Sequence, residues 1–170
     1  SCYDLKKDCF VDFTGCGEHE DHYGYITILS DEVWLWGRGQ GCRRIQYREG
    51  KFVSEVFNAK SGQLQSDNIL FVLQDSGKRV WIGTDRGLYY WKGNALQCVD
   101  KSHYFQRAYR FKDKTCFITI EGEIWTADKK GRLAFAAKLP DVSSGMDLPG
   151  SLSVGNQWVI FTSKGSFVFD

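Results

Sequence analysis

The sequence predicts an all-β protein made of β-propeller blades, about four antiparallel meanders of four strands each. Three observations predict this. Short apolar runs rich in Val, Ile, Trp and Tyr recur along the chain, each bounded by Gly, Asp or Asn. No helical periodicity of useful length competes with them. Gly41, Gly87, Gly122 and Gly165 mark equivalent turns about 35 to 46 residues apart, bracketing the roughly 40–45-residue period of blade-type repeats.

The clearest repeat is NILFVLQDSGKRVWIGTDRGLYYWKGNALQC, residues 68–98. Strands at 69–74, 79–84, 88–91 and 95–99 are divided by Asp75-Ser76-Gly77, Asp85-Arg86-Gly87 and Gly93-Asn94, residue types that make turns. One such meander cannot bury both of its faces, so copies are required. Upstream, 25–30, 33–37, 42–47 and 51–57 form the same series, with Gly41 and Gly50 at the later turns. Downstream come 106–111, 115–120, 123–127 and 132–138, with Gly122 and Gly131. A truncated copy offers 151–154, 157–162 and 166–169, with Gly165. Aligning Trp125 with Trp81 instead would leave strand 106–111 without a role, so Phe117 is assigned the place of Trp81. The repeats thus span 24–57, 69–99, 106–138 and 151–170 of a single domain, 1–170. Short strands at 2–5 and 9–13 precede them. The last repeat lacks its fourth strand; 9–13 would supply it and close a ring, or else the chain is a piece of a larger propeller.

Composition agrees with a compact β domain: 170 residues, 42% hydrophobic and 15% aromatic. There is no run of about 18 apolar residues to span a membrane. No leader pattern opens the chain, so an export signal has been removed or lies outside it. A net charge of +1 gives no broad attraction for nucleic acid or anionic lipid, and neither partner is expected. Arg43-Arg44 and Lys129-Lys130 are isolated doublets that read as solvated turn and edge residues.

LQSDNILFVLQDSGKRVWIGTDRGLYYWKGN resembles the two-component regulator propeller repeat, with its Leu-x-Ser/Asn-Asn opening, DSxG turn and WIGTxxGL. The matching residues are Leu64, Ser66, Asn68, Asp75, Ser76, Gly77, Trp81, Ile82, Gly83, Thr84, Gly87 and Leu88. VWLWGRGQGC in the first repeat departs from the pattern, with Trp36 where Gly is expected and one extra loop residue. The later repeats keep little beyond the glycine and the alternation. The resemblance implies the extracytoplasmic (periplasmic) sensor of a membrane histidine kinase, often a hybrid one in gut bacteria, that detects glycan fragments. It therefore implies an oligosaccharide ligand; that this segment is no enzyme is a separate expectation, from the motifs it lacks.

Strand order assigns the loops to two faces. In a meander blade, second-to-third turns and fourth-to-first connections emerge together, opposite the tight first-to-second and third-to-fourth turns. The first set holds every long connection, at 58–67, 100–105 and 140–150. Long loops on a rigid scaffold are the usual place for binding. The candidate ligand residues on that face are Trp36, Arg38, Gln40, Asp85, Arg86, Glu121, Ser163 and Lys164. Arginine forks and carboxylates bond sugar hydroxyls, and an indole offers a flat face to a sugar ring. Taken singly, each also fits a plain turn or rim residue. Trp34, Trp81 and Phe117 read as one strand position packing between blades, with Trp91, Trp125 and Trp158 also in packing roles.

Six cysteines, at 2, 9, 16, 42, 98 and 116, contain no CxxC. Cys42, Cys98 and Cys116 fall in strands, where a small buried thiol packs well. The other three cluster near the start, where one bridge would fit an exported protein. In CFVDFTGCGEHEDH, Cys9, Cys16, His19 and His22 are zinc-capable side chains, but the spacing is not a familiar zinc motif and the stretch reads as a polar loop. No metal or other cofactor is expected. There is no GxSxG, no HExxH and no phosphate-cradling loop, and His103 stands alone. Asp85 and Glu121 would be the carboxylate pair of a glycoside-acting enzyme, a reading nothing else favours. The other alternative is a structural propeller that binds another protein; an unpaired blade edge invites self-association or pairing with further blades.

Overall fold

The computed structural model describes residues 2–4, 8–11, 23–140, 142 and 150–169. Among these there is strand and turn but no helix, and none long and apolar enough to cross a membrane. The chain divides into two units, Ser1–Asp67 and Asn68–Asp170.

The first unit begins with a hairpin of β1 (Cys2–Asp4) and β2 (Cys9–Val11), in which Cys2 faces Val11. Its main sheet is an antiparallel meander of β3 (Tyr25–Ile28), β4 (Glu32–Gly37), β5 (Gly41–Arg48) and β6 (Lys51–Phe57), in chain order. Trp34 is fully buried, stacked on Phe57 at 5.5 Å, and its indole N–H donates to Glu32 Oε1 at 2.8 Å. The other oxygen of Glu32 accepts from Arg44 Nε at 2.6 Å and Gln46 Nε2 at 3.1 Å. A buried indole N–H needs an acceptor, and a buried carboxylate needs a cation; the cross-strand register supplies both.

The second unit holds three sheets. β7 (Ile69–Gln74), β8 (Val80–Thr84), β9 (Gly87–Lys92) and β10 (Ala95–Asp100) form one meander. β11 (Phe105–Phe111), β12 (Lys114–Thr119), β13 (Glu123–Ala127) and β14 (Leu133–Lys138) form the next. β15 (Gly150–Val154), β16 (Gln157–Thr162) and β17 (Gly165–Phe169) form a three-stranded third. One core, with Phe71, Trp81 and Leu88 from the first of these sheets and Phe105, Phe117 and Ala127 from the second, joins them face to face. Another, with Cys116, Ile118 and Ile124 against Trp158 and Ile160, joins the second to the third. The middle sheet is therefore covered on both faces, which explains why β12 reads as apolar without strict alternation.

One open alternative is decided here and one expectation changes. Strand 9–11 pairs with β1, and the β15–β17 sheet keeps three strands, so the N-terminal strand does not complete it. Among the described residues that pairing matches the alternative in which the chain is a piece of a larger propeller. Nor do Trp81 and Phe117 share one position. Counted back from the turn threonines Thr84 and Thr119, Trp81 matches Cys116 and Phe117 matches Ile82. Trp81 and Phe117 instead face one another from adjacent sheets, ring centroids 4.8 Å apart. A slip of one residue moves a side chain to the opposite face, and sequence alignment of degenerate repeats does not resolve one residue.

On the side of the tight turns, Asp75 repeats the Trp34 solution. Its carboxylate accepts from the Gly77 and Arg79 backbone N–H groups, from Arg79 Nε and from Trp81 Nε1. Arg79 Nη2 in turn donates to the Asp128 carbonyl of the next sheet at 2.9 Å.

Candidate functional site

Hydrogen bonds place the second-to-third turns beside the long connections in each unit. In the first unit Gly41 N donates to Asp67 O at 2.9 Å. In the second, Asn68 Nδ2 donates to Asp85 Oδ2 at 2.8 Å, Ile120 N to Tyr104 O at 2.9 Å, and Leu139 N to Gly122 O at 2.9 Å.

Trp36, Arg38 and Gln40 belong to the first unit. Trp36 sits one residue before the turn, and its indole N–H donates to Thr27 Oγ1 at 3.0 Å, which fixes the ring. Tyr25, its cross-strand partner on β3, stacks on it at 4.4 Å and 18°. The same register position in the next sheet pairs Phe71 with Gly83. There the missing side chain lets Phe71 lie against the strand: a Cβ on Gly83 would stand 2.1 Å from Phe71 Cε1. Tyr25 lies flat on Trp36 instead and is 59% exposed, whereas Phe71 is 7% exposed; β3 as a whole is exposed, with Ile26 at 58% and Ile28 at 72%. Sequence reasoning singled out Trp36 but missed Tyr25, which becomes visible only once the register sets it opposite Trp36. Arg38 is exposed and Gln40 half-buried in the turn that follows.

Asp85, Arg86, Glu121, Ser163 and Lys164 belong to the second unit, on three separate turns. Asp85 is half-buried, with Oδ2 held by Asn68 and Oδ1 buried without a hydrogen-bond partner among the described residues. Arg86 and Lys164 are exposed; their backbone N–H groups donate to Thr84 Oγ1 and Thr162 Oγ1 at 3.0 and 3.1 Å, the same turn used twice. Glu121 and Ser163 are exposed. No hydrogen bond or ion pair joins these five side chains to one another among the described residues.

His103 does not stand alone. Its Nδ1 lies 3.0 Å from Asp100 Oδ2 and its Nε2 3.8 Å from Glu123 Oε2, and its ring is 4.9 Å from Trp125. Burial pulls the Asp100 carboxyl upward, but bonds from the His103 and Ser102 backbone N–H groups and from the His103 ring outweigh it and hold the carboxyl below its ordinary range. The Asp100–His103 half of this cluster was open to local reading. Glu123 lies in the neighbouring sheet, and no local spacing signals it.

The Cys9, Cys16, His19 and His22 side chains lie outside the described residues. Among the described residues no group of three or more His, Cys, Asp or Glu side chains is arranged to hold a metal ion. Cys42 and Cys116 are buried thiols, as expected; burial raises both, Cys116 to about 11. Cys98, expected to be buried, is exposed, because β10 is the outer strand of its sheet.

No family model matches the chain, and no curated protein does. Solved structures do match. The extracellular domain of the hybrid two-component system BT4673 from B. thetaiotaomicron superposes with a TM-score of 0.66 at 15% identity, covering 85% of this chain and 20% of that one. That of BT3049 from the same organism gives 0.65 at 14% identity, covering 97% and 23%. These sheets are propeller blades. The propeller segment spans about a fifth of the length of those extracellular domains. It is also similar to a catalytically inactive virginiamycin B lyase from Staphylococcus aureus, with a TM-score of 0.58 at 16% identity, covering 85% of the segment and 54% of the enzyme.

Proposed function

We propose that this chain is an extracytoplasmic, non-catalytic, ligand-sensing segment of a two-component signalling receptor, located in the periplasm and reading glycan-derived ligands. The observation that carries the reading is the Tyr25–Trp36 stack. An aromatic pair whose lower ring is locked by a hydrogen bond, and whose upper ring is 59% exposed, stands at the turn that bears Arg38 and Gln40. Exposed aromatic faces beside hydrogen-bonding side chains suit sugar rings, whose C–H face packs on the ring while the hydroxyls reach polar groups. The likeness to extracellular domains of hybrid two-component systems supports the setting.

The test is a panel of oligosaccharides titrated against the chain, followed by tryptophan fluorescence and thermal shift, with Tyr25→Ala in parallel. A saccharide that raises the melting temperature of the wild type, with at least a tenfold weaker response in the variant, supports the reading. A chain blind to every saccharide that still captures a protein partner would establish a structural propeller instead. Turnover of a glycan would establish an enzyme.

A further inference from the structure

We propose that the face of the β15–β17 sheet turned away from Trp158 docks a second copy of this chain, through that copy's β3–β6 sheet. This goes beyond ligand sensing and does not depend on it. Within the second unit the sheets cover one another in one fixed way. Trp81 and Cys116, three residues before the turn threonines Thr84 and Thr119, lie on the face that meets the following sheet. Phe117, two before Thr119, lies on the face that meets the preceding sheet, as do Ile160 and Trp158, two and four before Thr162. Each of these side chains is at most 1% exposed. The pattern stops at the last sheet. Val159 stands three residues before Thr162 and pairs with Leu152 and Val168, and alternation puts Val154 on the same face. Leu152, Val154 and Val168 are 45%, 56% and 57% exposed. A face buried in both earlier sheets is here apolar and open to solvent.

Nothing in the sheet repels a partner. No strand of β15–β17 carries a charged residue, whereas the outer strands β6, β10 and β14 carry Lys51 and Glu55, Asp100, and Lys138. Charges on exposed strands are what keep sheets from associating, and an apolar face without them marks an interaction surface. The matching surface lies in the first unit. Gly37 pairs with Gly41 as Thr84 pairs with Gly87, so Leu35 and Val33 hold the positions that Ile160 and Trp158 use to meet a preceding sheet. Their partners on β3, Ile26 and Ile28, are 58% and 72% exposed on that face. Val33 also pairs with Ile45, and Tyr47, two residues on, is 63% exposed beside them. Among the described strand residues the one charged side chain on this face is Arg43, which is buried. Every copy thus carries one open face of each kind. Their meeting repeats a contact already made twice in the second unit, and this continuity names the occupant. The patches on the two copies differ, so the contact is heterologous, head to tail.

The experiment follows the mass of the whole chain by analytical ultracentrifugation as concentration rises, for wild type, Val168→Lys, Ile28→Lys and an equimolar mixture of the two variants. Both substituted side chains are largely exposed, so melting temperatures unchanged from wild type confirm that the variants are folded. The expected result is reversible association of wild type at about 10–100 μM, weakened at least about tenfold in each variant alone. The mixture should regain dimers, because one variant keeps its β15–β17 face and the other its β3–β6 face. A wild type that stays monomeric at every concentration would overturn the proposal and leave both faces to sheets of other chains. Association that survives in both variants, or a mixture that stays monomeric, would overturn it too. Loss in Val168→Lys with none in Ile28→Lys would show two β15–β17 sheets meeting each other, and would overturn the head-to-tail contact.

Discussion

Replacing Asp75 by alanine should destabilise the protein severely, although the residue lies in a turn. Its carboxylate accepts from Gly77 N at 2.8 Å, Arg79 N at 2.9 Å, Arg79 Nε at 2.6 Å and Trp81 Nε1 at 2.9 Å. The Asp75 and Arg79 side chains are 2% and 4% exposed. Removing one partner of a buried ion pair strands the other charge, which costs about 3–5 kcal/mol. A domain holds only about 5–15 kcal/mol in total, so the loss is a third or more of the stability. Urea unfolding followed by tryptophan fluorescence reads it directly. The double variant Asp75→Ala with Arg79→Met should recover much of the loss, because no buried charge remains. Asp128 supplies the internal comparison. It makes the same D-x-x-x-R turn, accepting from Lys130 N, Arg132 N and Arg132 Nε, but with side chains 38% and 74% exposed. Water screens that pair, and Asp128→Ala should cost far less. Equal costs at the two aspartates, or an Arg79→Met change that deepens the Asp75→Ala defect, would refute the assignment of the cost to a stranded charge.

Two further outcomes are expected. Gly83→Ala drives a methyl to within 2.1 Å of the Phe71 ring and should cost about 1–3 kcal/mol in a urea titration, relieved by adding Phe71→Leu; unchanged stability would show that the ring is free to move. The Asp100 carboxyl is held below its ordinary value of 3.8 in the folded chain, so its contribution is full above that pH and fades as the pH falls through the folded value. The gap between wild type and Asp100→Ala, about 1 kcal/mol near pH 6, should therefore close towards pH 2; a gap that stays constant would contradict the bonding seen around His103.

The blade meanders, their turns and the side that carries the long connections were legible in the sequence, because strand alternation and turn chemistry are local properties. Asp75-Ser76-Gly77 and Asp85-Arg86-Gly87 announce their turns whatever surrounds them. Register and sheet-to-sheet contact are not local. Trp81 and Phe117 look equivalent in a string and prove to face each other, because a single-residue offset reverses a side chain. Tyr25 meets Trp36 only because the β3–β4 register sets them opposite one another, and His103 meets Glu123 only because one sheet packs on the next. The exposure of Cys98 follows from an outer-strand place in the sheet, which no residue type encodes. Pattern along the chain determined the kind of element and its ends. Packing across the chain decided which face each side chain shows, and so which residues stand together where a ligand would meet them.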